Sequence, residues 1–523
     1  MKLQNKLHKL LLDGRSLKQD RAFNAIYGLA LALSISTWFI AVRAPLWLDE
    51  TCSYWQIVAG FSKIMSRQIV FFPAYSYILW FSTKIIGSSE IALRVPSILA
   101  MFGAVYLLYL AARELFDRDV SLIATIIFCL HPIVVFAAID VRSYAFAALA
   151  TNVSILIVFR LRHNDSNWLA ALFGLSAAWI VWFHYLFATI LPALVLCFFV
   201  IKAGDRKTLW RQFGVAMVAF ALAFLPVIPR LLYLFRTSGS HVFETAPSVM
   251  APPWTLAPGE PWVVVGLIAF AMAALAAVGG TRFSRKIHLE GWHILLCLSL
   301  ALIPLLILYG VSVATSLHVF SHRYRLIAVP GISLCWAKLF SVIRPRAARS
   351  VLCLGLVAVT AYLSYNSPSS GQHLYSWKYA LQAVEMSAST DKAPVLICSD
   401  LPEADYETMP LDSAKESSLF APLSYYRLSV PVVPLPRALN DEARRVGSQF
   451  LDEAAMKHER FLAAGYESSY ATLDWLAQSA AGTNSVRKLG IFDGVEVLEF
   501  VPRSLPSRPL SPANLRSSPN PRR

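Results

Sequence analysis

What most limits the fold of this chain is a series of apolar segments, most of them about 20 residues long, separated by short polar loops. The runs lie near 22–42, 91–112, 120–139, 143–160, 168–183, 185–201, 212–233, 262–279, 291–313, 324–341 and 350–366. In hydrocarbon a backbone must satisfy its own N–H and C=O groups, so such runs are expected to be helices. The stretch from Trp168 to Ile201 is too long for one span, which predicts two antiparallel helices divided at His184-Tyr185. Of the 523 residues, 56% are hydrophobic and only 15% charged. That leaves too little polar surface for several soluble domains, and it excludes a cytosolic enzyme, a disordered chain and a secreted disulfide scaffold.

The formal net charge is +15. Its basic residues sit in short clusters between apolar runs: Lys202, Arg206, Lys207 and Arg211; Arg282, Arg285 and Lys286; Lys338, Arg344, Arg346 and Arg349. This is the positive-inside pattern of cytoplasmic loops, not a groove for nucleic acid. The basic segment 1–21 precedes the first run, which reads as an uncleaved first span with a cytoplasmic N-terminus. Segment 71–86 starts at a proline-containing stretch, is about 16 residues long and contains Lys84. If it spanned, every later basic loop would lie outside, so the charge pattern makes it an interfacial helix. Residues 51–65 are expected to form a second surface helix.

The expected architecture is a polytopic α-helical membrane protein of about 11 spans, with its C-terminus on the extracytoplasmic side. The expected division is 1–21 (basic, cytoplasmic), 22–366 (membrane-embedded), 367–503 (a small extracytoplasmic α/β domain) and 504–523 (a Pro-, Ser- and Arg-rich disordered tail). In the α/β domain, 394–399 and 430–435 read as strands and 440–463 as an amphipathic helix. Segments 488–492 and 495–501 flank Asp493-Gly494, a two-residue hairpin signal. Five of the seven cysteines lie in or beside apolar runs; Cys52 and Cys398 alone are placed for an extracytoplasmic disulfide.

This topology gathers polar residues at the external boundary. Asp49-Glu50 follows the first span and is either a general base or cation site, or a pair of solvated loop acids. Arg94 opens the second span and either snorkels or binds a lipid phosphate. Asp140 and Arg142 share one external turn, as a local ion pair or as acceptor- and cation-orienting groups. His184 is either a structural turn residue or an acceptor or cation contact. Arg323-Tyr324 is a further phosphate-clamp candidate, and Lys84 faces either headgroups or substrate.

On these residues the chain resembles the GT-C glycosyltransferases, and within them family 39. Asp49-Glu50 resembles the acidic motif after the first span, and Phe72-Pro73-Ala74-Tyr75 the surface-helix motif. Arg94-Val95-Pro96-Ser97 is similar to an Arg-Leu-Pro-Ser motif, and Asp140-Val141-Arg142-Ser143-Tyr144 to an Asp-x-x-Arg-x-Tyr turn. Phe320–Tyr324 and Ser376-Trp377-Lys378 resemble late motifs of the bacterial branch, which includes protein O-mannosyltransferase relatives and aminoarabinose and galacturonosyl transferases of the cell envelope. Phe71, Phe72 and Ser376 depart from the family pattern.

The resemblance implies a GT-C-like fold in the bacterial inner membrane and a polyprenyl-phosphate sugar as donor. The acceptor would be a hydroxyl of a glycolipid, lipopolysaccharide, polysaccharide or protein, and the reaction would invert C1. Asp49 and Glu50 would be catalytic, Arg94, Arg142 and Arg323 would bind the donor phosphate, and Asp140, His184, Tyr324 and Lys84 would contact acceptor or cation. No cofactor is required by the sequence; a divalent cation (Mg or Mn), if used, would fall to Asp49, Glu50 and Asp140. Two other readings use the same external face: a transporter or flippase of lipid-linked saccharide, and a surface-polysaccharide ligase or polymerase. The spans lack midplane Asp, Glu or Lys and show no repeat, which disfavours the transporter.

Overall fold

The computed structural model describes residues 22–65, 73–237, 246–256, 291–341, 343, 346–366, 376–398 and 421–503. They form two compact units. The first takes in Met1–Val42, Arg94–Tyr233 and Glu244–Ser370; the second takes in Arg43–Leu93, Leu234–Phe243 and Gly371–Arg523. This differs from the expected division at 366/367, because the loop after the first span is grouped with the C-terminal domain. The expected segments 1–21 and 504–523 lie outside the described residues.

In chain order the helices are α1 (Ala22–Ala41), α2 (Leu48–Val58), α3 (Pro73–Ile86), α4 (Glu90–Leu115), α5 (Arg118–Leu130), α6 (Pro132–Ile139), α7 (Tyr144–Arg160), α8 (Asn167–Phe183) and α9 (Leu191–Lys202). They continue as α10 (Arg206–Phe224), α11 (Ile228–Thr237), α12 (Ala251–Thr255), α13 (Gly291–Ala314), α14 (Val329–Ser341) and α15 (Arg346–Asn366). Among the described residues, seven helical segments are long and apolar enough to cross a membrane, or eight if the bent pair α5–α6 is one span. The chain is a multi-pass membrane protein.

Three of the 11 expected spans are not among these. Helix α8 is apolar but has only 17 residues. The 324–341 segment begins as a 3-10 turn over Tyr324–Ala328 and leaves α14 with 13 residues. The 262–279 segment lies outside the described residues. Helix α3 has 14 residues, about 21 Å, which is short of a hydrocarbon core and fits the non-spanning expectation.

Local chemistry sets the helix ends. Asp117, Ser166 and Asp205 are N-caps whose side chains accept from the amides of Val120, Leu169 and Thr208. The 120–139 run, expected as one helix, bends by 67° between α5 and α6. Proline 132 has no amide hydrogen and pushes His131 into an extended conformation. His131 then caps α6, its Nδ1 accepting from Ile133 N at 3.3 Å. The expected division at His184 is present: α8 ends at Phe183, His184 is extended, and Tyr185–Ile190 form a 3-10 turn before α9.

Small residues let two helix pairs cross closely. A Cβ added at Gly174 would collide with the Ala216 carbonyl on α10, and one at Gly331 with the backbone of α13. Buried polar contacts tie other helices. Trp38 Nε1 donates to Cys129 O at 3.0 Å, and Asn152 Nδ2 to Ala104 O at 2.8 Å.

The second unit contains α2, α3, α16 (Trp377–Ala388), β1 (Val395–Cys398), α17 (Ala421–Tyr425), β2 (Val432–Leu435), α18 (Asp441–Lys457), β3 (Phe461–Tyr466), α19 (Tyr470–Ala480), β4 (Asn484–Phe492) and β5 (Val495–Pro502). The sheet order is β2-β1-β3-β5-β4; β1 is parallel to β2 and β3, and β5 is antiparallel to β3 and β4. Asp493 and Gly494, both at positive φ, make the tight turn between β4 and β5. Strand β3 replaces the end of the helix expected over 440–463. His458, at φ 50°, ends α18 in a left-handed cap, and Phe461–Ala464 are buried as a central strand.

Side-chain alternation gives the sheet two faces. Val395, Ile397, Leu462, Ala464, Val495 and Val497 pack with Trp377, Leu381 and Val384 of α16 and with Leu48, Cys52 and Trp55 of α2. Leu396, Cys398, Phe461, Ala463, Leu498 and Phe500 pack with Val446 of α18 and with Leu473 and Leu476 of α19. Cys52 and Cys398 thus serve opposite faces of one sheet, and both are free thiols, so the expected disulfide is absent.

Candidate functional site

The acidic pair opens helix α2. Trp47 is the extended N-cap, with φ −85° and ψ 175°, and its amide donates to Glu50 Oε2 at 3.2 Å. This is the return half of a capping box, and acids in the first turn also suit the helix dipole. Leu48, Cys52 and Trp55, spaced i, i+4, i+7, bury one stripe of α2 in the α/β core. Burying Leu48 alone contributes about 2 kcal/mol. Adjacent positions on a helix point about 100° apart, so the two carboxylates differ in setting. Glu50 is fully buried; Asp49 is half-buried. Lys84, in the last turn of α3, is exposed, with its ammonium 5.4 Å from the Trp80 ring centre. Helix α3 packs on α2, where Ser76 donates to Gln56 Oε1 at 3.1 Å.

The first unit assembles a second group of the expected residues. His184, 2% exposed, lies against Tyr144 (ring centres 5.2 Å), Phe187 (4.7 Å), Tyr324 (5.1 Å) and Tyr185 (5.7 Å). Burial lowers its pKa well below the ordinary imidazole value, and the positive charges of Arg142 and Arg323 lower it further. Burial, aided by the two nearby positive charges, therefore favours the neutral imidazole. Arg142 and Arg323 are each half-buried, and Arg323 Cζ lies 6.0 Å from the Tyr324 ring centre. The Arg142 carbonyl accepts a long 3.5 Å bond from Ser97. Asp140, two residues before Arg142, is fully buried at the end of α6. Its position corrects the expected helix start: Ser143, not Asp140, precedes α7.

Arg94 has a different setting. It is fully buried, and its Nη1 donates at 2.8 Å to the Val42 carbonyl just past the end of α1. A cation at a helix C-terminus satisfies a main-chain oxygen left without an intrahelical partner. At least part of this guanidinium therefore serves to hold a helix end.

Among the described residues, no group of three or more His, Cys, Asp or Glu side chains could hold a metal ion. Asp49 and Glu50 lie in the second unit and Asp140 in the first.

Sequence reasoning missed Tyr426. Its hydroxyl accepts from the Leu46 amide and donates to Glu90, which pairs with Lys378. Local pattern carried no signal for it, because Leu46 and Tyr426 are 380 positions apart.

The fold is that of a multi-pass membrane protein of the GT-C type with a small C-terminal α/β domain. Residues 72–233 match the sequence model of the family described as dolichyl-phosphate-mannose-protein mannosyltransferase. A comparison with curated protein sequences finds no match. Two similar solved structures are of ArnT from Cupriavidus metallidurans. The form bound to undecaprenyl phosphate is 11% identical, covers 90% of this chain and 97% of that one, and has a TM-score of 0.55. The apo form is 12% identical, covers 91% and 98%, and also has a TM-score of 0.55.

Proposed function

We propose that this chain is a membrane glycosyltransferase that moves a monosaccharide from a polyprenyl-phosphate donor to an acceptor hydroxyl. The observation that carries the reading is the pair of half-buried guanidinium groups, Arg142 and Arg323, beside neutral His184 and its aromatic neighbours. Such a group suits a phosphate next to a sugar: the cations match the anion, and of the rings Tyr185 and Tyr324 are half-buried and can face a sugar. The family matched by 72–233 is described by a lipid-phosphate sugar donor, and one similar structure holds undecaprenyl phosphate.

The assigned step is a single displacement. Asp49 removes the proton of the acceptor hydroxyl as its oxygen forms a bond to sugar C1. The bond from C1 to the donor phosphate oxygen breaks, and its electron pair leaves with the polyprenyl phosphate. Arg142 and Arg323 balance the charge that grows on that phosphate, a term worth several kcal/mol in related settings. A positioned base adds about 10²–10⁴-fold. Direct attack inverts C1. Glu50 holds the start of α2, and Arg94 holds the end of α1. No step is routed through a cation.

The acceptor proposed is a hydroxyl of a glycolipid, lipopolysaccharide, polysaccharide or protein. The orientation proposed is a cytoplasmic N-terminus with the acidic helix and α/β domain outside the cytoplasm. The bacterial inner membrane would supply donor and bilayer.

The test is transfer of labelled sugar from a panel of polyprenyl monophosphate and diphosphate donors by membranes holding wild type or Asp49→Asn. Product from a monophosphate donor, lost in the variant at equal expression, is the expected result. Use of diphosphate donors alone would make the chain a polysaccharide ligase or polymerase. Movement of lipid-linked sugar across the bilayer without transfer would make it a transporter.

A further inference from the structure

Within the second unit, the segment leading into α2 is held by side chains distant in sequence. The Leu46 amide donates to the Tyr426 hydroxyl at 2.7 Å, and the Leu46 carbonyl accepts from Ser376 Oγ at 3.1 Å. Both polar groups of this residue are thus fixed by the α/β domain, not by a strand or helix of their own. The Tyr426 hydroxyl donates onward to Glu90 Oε1 at 2.8 Å, and Lys378 Nζ lies 3.0 Å from the same oxygen. Burial and the Glu90 charge both raise the pKa of Tyr426, which keeps the phenol protonated to donate. Tyr425, next in sequence, packs edge-on to Tyr54 of α2 at 5.0 Å and donates to Ser88 O at 3.0 Å.

From this geometry we infer that Tyr426 is a positioning residue for Asp49, acting through Leu46, with Glu90 and Lys378 fixing its hydroxyl. The inference rests on the reading of Asp49 as the base. Leu46 is three residues before Asp49, at the point where the chain turns into α2. The buried stripe Leu48, Cys52 and Trp55 sets the rotation of the helix. The Tyr426 hydroxyl fixes the chain just ahead of its first turn. Without that hydroxyl, the Leu46 amide loses its partner and the first turn is free to fray. A base displaced by a fraction of an ångström loses much of its effect on proton transfer.

The experiment uses the full chain in lipid nanodiscs. Amide hydrogen exchange is followed over 46–52 and over β3 and β5, alongside kinetics of sugar transfer. Tyr426→Phe is expected to speed exchange over 46–52 by at least about 10-fold and leave β3 and β5 protected. It is expected to lower kcat about 10–100-fold with little change in KM for the donor. In the Asp49→Asn background it should cause no further loss, because both changes act on one group. Glu90→Ala should reproduce the exchange effect. Glu90→Gln, which keeps an acceptor for the hydroxyl, should restore protection.

Unchanged exchange over 46–52 in Tyr426→Phe would overturn the inference, as would additive losses with Asp49→Asn. If Tyr426→Phe also exposes β3 and β5, the Glu90 pair decides: equal protection in Glu90→Ala and Glu90→Gln overturns it. The exchange arm reads the positioning and the transfer arm reads the activity. Absence of transfer by wild type therefore sinks the proposed function while the exchange result still stands or falls alone.

Discussion

The amide of Trp47 donates to the carboxylate of Glu50 at 3.2 Å, across the first turn of the helix that also bears Asp49. On the proposed mechanism the two neighbouring acids have separable duties. Asp49→Asn should reduce transfer by about 10²–10⁴-fold without a change in melting temperature. Glu50→Gln keeps an acceptor for the Trp47 amide and should retain most of the stability of α2. Glu50→Ala should cost about 1 kcal/mol or more, read as a lower melting temperature. Equal loss of transfer in Asp49→Asn and Glu50→Gln, at equal stability, would make both acids chemical.

The positive charges of Arg142 and Arg323 both disfavour protonation of His184. Replacing either by Gln should lower kcat/KM for a polyprenyl-phosphate donor about 10–100-fold and weaken inhibition by the free polyprenyl phosphate. Lys should recover only part of this, because it keeps the charge but not the two-pronged donor. Unchanged inhibition in both Gln variants would remove the phosphate from this cluster.

The α/β domain has an acid-sensitive contact. Arg460 donates to both carboxylate oxygens of Asp391, at 2.8 and 2.9 Å, and also pairs with Glu499. These bonds hold the Asp391 pKa below the ordinary value. The unfolded chain then binds a proton more readily, so this stabilisation is complete above about pH 4. It fades as the pH falls through the depressed folded value. Melting of the full chain between pH 6 and 2.5 should show a shallower acid loss in Asp391→Asn than in wild type. Identical acid slopes would refute the assignment.

The crossing of α8 and α10 leaves no space at Gly174. Gly174→Ala should destabilise the membrane unit by about 1–3 kcal/mol, measured as a fall in melting temperature in detergent or nanodiscs. Gly214→Ala meets nothing within 4 Å and serves as the control. Equal melting temperatures for the two variants would contradict the crossing.

Much of the fold was legible because its causes are local. Apolar runs near span length, basic loops, the break at His184 and the Asp493-Gly494 turn each depend on a few adjacent residues. The bend at His131-Pro132 was also written locally, in a proline that an unbroken apolar run concealed. Strand β3 was not legible in the same way. Phe461–Ala463 reads as the end of the preceding helix because a central strand buried on both faces loses its alternation.

The sequence by itself determined that this chain crosses a membrane repeatedly, and that acids and arginines collect outside the apolar runs. Tertiary structure alone decided which residues act together. Helix α2 joins the α/β domain because Leu48, Cys52 and Trp55 complete a core with residues more than 300 positions away. Arg94 turns inward to Val42, while the charges of Arg142 and Arg323 are both felt at His184. Periodicity and capping act over a turn or two of chain. Shape and charge complementarity act only once distant segments have met.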